Sequence, residues 1–282
     1  METKLLDGRA LAGKIQEQVA NELAVMQRVP KLVVVLVDPS EAIRIYVRNK
    51  LKRTAAVGIQ TTVQELSPTV STEQVVAIVK ELNQDKLVDG ILVQLPLPDH
   101  INTNTVIETI DPNKDVDGLT SVNLGRLMAN MPYLVPCTPL GCLHLIHQAK
   151  ADLTGLNAVV IGRSRLVGRP MAQLLLAENC TVTIAHSKTR NLAALCRTAD
   201  ILVSATGQPG LITDNYIKPG AIVIDVGISK TKDGHITGDV DMERAKGIAG
   251  WLTPVPGGVG PMTITMILTN MVQIIKQNLD NK

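Results

Sequence analysis

Seven short runs rich in aliphatic and β-branched residues alternate with stretches of helical periodicity along this chain. Lys31–Val37 is continuously apolar rather than alternating, which marks a strand covered on both faces. Thr61–Leu66, Gly90–Leu95, Asn157–Ile161, Thr181–Ala185, Ile201–Ser204 and Ala221–Val226 follow. The first helix is expected from Gly8 to Arg28, with Ile15, Val19, Leu23 and Met26 at three- and four-residue spacing. A second runs from Ala42 to Val57 and stops at Gly58, and a third, opened by a Ser71–Gln74 capping box, reaches Asn83. Arg169–Ala177, Asn191–Arg197 and Met262 to Asn278 complete the helical set. Strands alternating with helices predict the α/β class, with parallel sheets and right-handed crossovers. Asp111–Gly118 and Asn130–Pro139, rich in Pro, Asp and Asn, mark a joint, so two α/β lobes with a cleft between them are expected.

Composition narrows the function. One Trp, three Tyr and no Phe leave an aliphatic, Met-filled core. With 28 basic against 26 acidic side chains, the chain lacks the charge and stacking aromatics expected of a nucleic-acid binder. Met1–Lys4 opens no signal-peptide run, and the apolar runs fall far below the roughly 20 residues of a membrane helix. Four scattered cysteines fit a reduced, cytoplasmic setting. No metal is expected. Cys137, Cys142, His144 and His147 lack zinc-finger spacing, and the calcium-like Asn113-x-Asp115-x-Asp117-Gly118 has Leu124 where a bidentate Glu is needed.

Two places carry chemistry. Ala158–Pro170 reads strand, glycine turn, helix: Gly162 and Gly168 let backbone approach a pyrophosphate, and a helix N-terminus supplies free N–H groups. The spacing is not the usual G-x-G-x-x-G, since Ser164 stands at the second glycine, and a tight βα turn without ligand is the plain alternative. Roughly 20 residues on, where a carboxylate would bind the ribose of NAD, the chain has His186–Ser187–Lys188, which favours a 2′-phosphate and hence NADP. The second place pairs Tyr46 and Lys50, four apart on one helix face. Among Arg44, Arg48, Lys52 and Arg53 such a lysine ordinarily reads as a solvated charge, so a functional reading needs partners. Gln94, at the carboxyl end of a buried strand, is one candidate; Asp117, beside Gly118, is another, or a turn former. The basic cluster itself could draw an anionic tail on a substrate.

At this point the motifs converge. Tyr-Val-Arg-Asn-Lys (Tyr46–Lys50), Gly-Ile-Leu-Val-Gln-Leu-Pro-Leu-Pro (Gly90–Pro98), Lys-Asp-Val-Asp-Gly (Lys114–Gly118) and Pro-Cys-Thr-Pro (Pro136–Pro139) come first. Gly162–Pro170, His186–Thr189 and Thr253–Thr263 follow in order. Together they resemble the bifunctional methylenetetrahydrofolate dehydrogenase/methenyltetrahydrofolate cyclohydrolase family over nearly the whole chain. The resemblance implies a catalytic lobe over 1–120, joined by the C-terminal helix 262–282, and a Rossmann NADP lobe over 121–261. It implies a homodimer formed through the NADP lobes, and tetrahydrofolate derivatives, including polyglutamylated ones, as substrates. The reactions would be oxidation of 5,10-methylenetetrahydrofolate with NADP, then hydrolysis to 10-formyltetrahydrofolate, in one-carbon metabolism and purine biosynthesis.

By that resemblance Lys50 is the catalytic lysine, Tyr46 packs on the folate, Gln94 hydrogen-bonds the lysine and Asp117 anchors the pterin. Leu95, Pro96 and Pro261 line the folate site. Thr138, Gly162, Arg163, Ser164, Val167, Gly168, Ser187, Gly227 and Ile228 fall at cofactor-contacting positions. Hydride loss from a methylene between two nitrogens needs positioning more than proton transfer, whereas hydrolysis needs a group that moves protons. A free lysine titrates at about 10.4 and an acid–base lysine works at roughly 7–8. Dehydrogenase-only relatives lack the lysine, so its presence implies both activities. Many relatives carry Ser where this chain has Ile43, which singles out hydrolysis, rather than hydride transfer, as the step at stake. A dehydrogenase with impaired hydrolysis, or another two-lobed NADP oxidoreductase of the shikimate dehydrogenase type, would be the alternatives.

Overall fold

A computed structural model describes residues 2–26, 28–231 and 233–280. In chain order the elements are β1 (Lys4–Leu5), α1 (Gly8–Ala24), β2 (Lys31–Val37), α2 (Glu41–Ala56), β3 (Gln60–Leu66), α3 (Thr72–Gln84) and β4 (Gly90–Val93). Next come α4 (Thr103–Thr109), α5 (Ser121–Met128), α6 (Cys137–Ala149), β5 (Asn157–Ile161), α7 (Gly168–Ala177), β6 (Thr181–Ala185), α8 (Leu192–Cys196) and β7 (Ile201–Ser204). After a 3-10 turn at Asp214–Tyr216 the chain forms β8 (Ile222–Asp225), β9 (Ser229–Lys230), β10 (Ile236–Thr237), α9 (Met242–Ala245), β11 (Trp251–Leu252) and α10 (Val259–Asp280).

The chain folds into two compact units. One comprises Lys14–Val135 and the segment from Ile267 onward; the other comprises residues 2–13 and Pro136–Met266. The expected joint at 120/121 therefore lies at 135/136, and the start of the chain clusters with the second half. The reason for that placement is β1, which pairs in parallel with β11, Lys4 opposite Trp251.

In the first unit a parallel sheet has the order β3-β2-β4. β2 is central, with Val34 opposite both Val63 and Leu92, and its residues after Lys31 are all buried, as an unbroken apolar strand requires. Val33, Val35, Val75, Val79, Ile91 and Val106 form one core face. The capping box is present: Ser71 Oγ accepts from Gln74 N–H at 3.3 Å, and Gln74 Oε1 accepts from Ser71 N–H at 2.8 Å. Gly90 has no room for a side chain, because a Cβ would collide with Met271 and Val116. The C-terminal half of α10 packs there, burying Met271, Ile274 and Ile275.

The second unit holds a six-stranded parallel sheet of order β1-β11-β8-β7-β5-β6. From β5 the chain steps outward to β6 and returns to β7 on the other side, making a topological switch beside β5, where α/β proteins bind ligands. Val159, Ile161, Leu202, Val223 and Leu252 lie in its core.

Several element bounds differ from expectation. α1 stops at Ala24 rather than Arg28, β4 at Val93 rather than Leu95, and α10 begins three residues early, at Val259. α4 and α5 occupy ground where sequence signals were weak. Thr105 N–H bonds the Asn102 carboxamide and Asn123 N–H bonds Thr120 Oγ1, so each has a side-chain N-cap.

Candidate active site

In the first unit, α2 begins at Ser40, whose Oγ accepts from Ile43 N–H at 3.4 Å. Three turns on, Lys50 is only 2% exposed, unlike the charged residues around it. Its Nζ donates to Gln94 Oε1 at 3.0 Å and lies 5.1 Å from the centre of the Tyr46 ring. Gln94 follows β4, and its N–H still joins the ladder, donating to Val35 O at 2.9 Å. Its Nε2 donates to Leu95 O at 2.9 Å, which settles the amide orientation: the nitrogen faces a carbonyl and the oxygen faces an ammonium that can only donate. The Leu95–Pro96 bond is cis, Leu95 is half-buried and Pro96 exposed. The structure thus joins Tyr46, Lys50, Gln94 and Leu95 into one group.

Asp117 is half-buried in the loop after the β4–Asp115 bridge. Its motif neighbours have structural partners. Lys114 Nζ donates to the carbonyls of Leu82, Asn83 and Asp85 at 2.8–3.1 Å, at the end of α3. Buried Asp115 accepts from Thr120 N–H at 2.8 Å and Asn123 Nδ2 at 3.0 Å. Two members of the basic stripe on α2 are ion-paired: Arg44 binds Glu65 at 2.7 Å and Arg48 binds Glu41 at 2.5 Å.

In the second unit the predicted cofactor residues other than Thr138 follow the carboxyl ends of β5, β6 and β8. Gly162 has φ +129°, and a Cβ there would lie 2.6 Å from Ala205 O, so the loops after β5 and β7 approach backbone to backbone. A Cβ on Gly168 would collide with the Gly162 carbonyl, so only glycine lets α7 start this close to the strand. Ser164 Oγ accepts from Val167 N–H at 3.1 Å and closes the turn, while Arg163 is exposed beside it. After β6, Thr189 N–H donates to His186 O at 2.8 Å, and the resulting turn exposes Ser187 and Lys188. Gly227 is buried and its N–H donates to Asp225 at 2.9 Å; Ile228, next to it, is 71% exposed. Thr138 on α6 meets Thr263 at 3.0 Å, two residues beyond half-buried Pro261 on α10.

Sequence reading missed the pair beneath these loops. Asp225 accepts from the N–H groups of Gly227, Asp239 and Val240, all at 2.9 Å. Burial and the neighbouring Asp239 raise its carboxyl to about 6, against the pull of those N–H donors. Asp239 accepts from Ser204 Oγ at 2.9 Å and Thr206 N–H at 2.7 Å, tying the β7 loop to the β8 loop. The visible signal was a carboxylate ending the buried run Ile222–Asp225.

A parallel sheet with a switch point and a glycine cradle that a Cβ would fill belongs to the dinucleotide-binding α/β class, here coupled to a unit carrying a buried lysine–amide pair. Comparison with known proteins is specific. Residues 136–279 match the NAD(P)-binding domain, and residues 6–117 the catalytic domain, of tetrahydrofolate dehydrogenase/cyclohydrolase. A bifunctional protein FolD from Cereibacter sphaeroides is 52% identical over 277 residues, covering 96% of this chain and 94% of that protein. The bifunctional FolD structure from Campylobacter jejuni superposes with a TM-score of 0.95 at 42% identity, covering 98% of this chain and 99% of the other. The Trypanosoma brucei FolD, solved with NADP cofactor and an inhibitor, gives 0.94 at 38% identity, covering 99% of both chains. The chain belongs to the tetrahydrofolate dehydrogenase/cyclohydrolase family. Among the described residues, no helix is long and apolar enough to cross a membrane.

Proposed function

We propose that Tyr46, Lys50, Gln94 and Asp117 form the folate side of a bifunctional active site. The chain is an NADP-dependent dehydrogenase and cyclohydrolase: it oxidises 5,10-methylenetetrahydrofolate to the methenyl form and hydrolyses that to 10-formyltetrahydrofolate. Family membership across both units favours this over a shikimate dehydrogenase type of reaction.

The observation that carries the assignment of roles is the buried Lys50–Gln94 pair. An ammonium kept from solvent, oriented by one amide oxygen and stacked on Tyr46, is a proton donor of fixed direction. During hydrolysis Lys50 moves protons at Nζ between the attacking water and the departing nitrogen; Gln94 holds its direction and Tyr46 packs the folate. Leu95 and Pro96 complete this unit's folate contacts, and Asp117 accepts hydrogen bonds from the pterin.

NADP, when bound, supplies the hydride acceptor. Gly162, Arg163, Ser164, Val167 and Gly168 would hold its phosphates on the N-terminal turn of α7. Ser187, with Arg163, would face the 2′-phosphate; Thr138, Gly227 and Ile228 would line the remainder. These residues bind and orient, and no proton needs to move through them. The basic side chains of α2 would contribute to polyglutamate binding chiefly through Lys52 and Arg53, since Arg44 and Arg48 are ion-paired. We place the enzyme in the cytoplasm as a homodimer joined through the NADP units. The exposed edge strand β6, with Ile184 40% exposed, supports that assembly.

Near-ultraviolet spectra with methylenetetrahydrofolate and NADP test the proposal. Wild-type enzyme is expected to form reduced cofactor without accumulating methenyl product. Lys50→Gln is expected to keep forming reduced cofactor while methenyl product builds up, hydrolysis falling about 100-fold or more, as for loss of a general acid–base group. Undiminished hydrolysis in that variant would remove Lys50 from the mechanism.

A further inference from the structure

The loop that presents Asp117 is tied to a distant helix beside that residue. Gly118 N–H donates to Asp115 O at 3.0 Å, making a four-residue turn with Val116 and Asp117 at its centre. That bond closes the ends of the turn, with the Val116 carbonyl immediately before Asp117. A shift of the loop at that carbonyl displaces Asp117 with it.

Three side chains hold this loop, and Asn270 is among those that reach its backbone. Lys114 is anchored at the end of α3, and Asp115 at the start of α5. Asn270, on the part of α10 that packs in this unit, is 4% exposed. Its Nδ2 donates one hydrogen to Val116 O and the other to Val135 O, each at 2.9 Å. Next to it Met271 packs where Gly90 has no side chain, against Val116, so the helix cannot slide from this contact without opening the core.

We propose that Asn270 is a positioning residue: by holding the Val116 carbonyl it anchors the loop and keeps Asp117 in place for substrate. This rests on the reading of Asp117 as a folate-anchoring residue. A carboxamide suits the task because both carbonyls need donors, and its two hydrogens diverge by a fixed angle. An aspartate at 270 would set oxygen against oxygen.

The experiment is a double-mutant cycle on the full-length enzyme, with Asn270→Ala, Asp117→Ala and the pair. Each is checked for folding by thermal melting and assayed for KM of methylenetetrahydrofolate and of NADP. Asn270→Ala is expected to raise the folate KM about tenfold, the scale of one lost fixed hydrogen bond to substrate, with the NADP KM unchanged. In the Asp117→Ala background the same substitution is expected to change the folate KM less than twofold. A helix contact of purely structural importance would lower the melting temperature and the active fraction but leave the folate KM in place. If Asp117→Ala raises the folate KM while Asn270→Ala does not, or if the effects multiply, the positioning role falls and the Asp117 reading stands. If Asp117→Ala leaves the folate KM unchanged, the Asp117 reading falls and takes this proposal with it. Should Asn270→Ala not fold, Asn270→Ser, whose hydroxyl can still donate to one carbonyl, replaces it with the same expected signs.

Discussion

Gln94 shows how much chemistry a single side chain can fix. Its amide nitrogen is committed to Leu95 O, so only its oxygen can face Lys50. Glutamate has nearly the same shape, yet it would set a carboxylate oxygen against the Leu95 carbonyl and confront the ammonium with a full charge. Gln94→Glu is therefore expected to slow hydrolysis about 100-fold, because an ion-paired lysine no longer releases its proton, while hydride transfer falls less than tenfold. Equal losses in both steps, measured by separate assays, would show Gln94 acting on folding or binding instead. Asp225 gives a second prediction at this scale. Its carboxyl is raised to about 6 in the folded protein by burial, so the native state holds the proton more tightly than the unfolded chain. The stabilisation from that proton is complete below the unfolded value and is lost as pH rises through about 6, a change on the order of 3 kcal/mol. Denaturant unfolding from pH 4 to 7 should show that decline, and Asp225→Asn should flatten it. A slope unaltered by the substitution would assign the pH dependence to other groups.

At the scale of elements, the NADP unit depends on how strand ends are tied together. Asp239 ties the ends of β7 and β8: its carboxylate accepts from Ser204 and Thr206, its N–H donates to Asp225, and its side chain packs against Gly227. Removing such a buried acceptor leaves two donors unsatisfied, at a cost of about 1–3 kcal/mol. Asp239→Ala is expected to raise the NADP KM about tenfold and leave the folate KM unchanged. Steady-state titration of each substrate decides this, and a matched rise in both constants would point to general unfolding. α2 displays the complementary principle: its cap at Ser40 sets where the helix starts, and the helix repeat then carries Tyr46 and Lys50 to one face.

For the whole molecule, the chain passes between its two compact units at 13/14, 135/136 and 266/267. Both α1 and α10 contain residues of each unit, so neither unit is a contiguous piece of sequence. β1 extends one side of the large sheet, whereas β6 ends the other with Thr181, Thr183 and Ile184 exposed. An uncovered edge strand is a site for pairing with a second copy. For the proposed homodimer paired through β6, Ile184→Lys is expected to give a monomer in light scattering after gel filtration, with the unfolding midpoint little changed. A dimer of undiminished stability would place the interface elsewhere.

The sequence alone determined the α/β class, because apolar runs of strand length alternating with helical periodicity leave few other solutions. β2, β5 and β7 begin and end where their residues predicted, since a buried parallel strand is written in contiguous apolar residues; the edge strand β6 kept its bounds through its β-branched residues. The glycine turn and the Tyr46–Lys50 spacing were legible for the same local reason. The two-residue strands β1 and β11 were not, as pairs so short exist only when a partner edge is already present. Nor could sequence show that Lys50 is buried among more exposed charged neighbours, that Lys114 and Asp115 brace the loop, or that Asn270 reaches across 154 residues to Val116. Those facts depend on contacts between segments distant in the chain, where packing and the pairing of buried polar groups, rather than local propensity, decide the outcome.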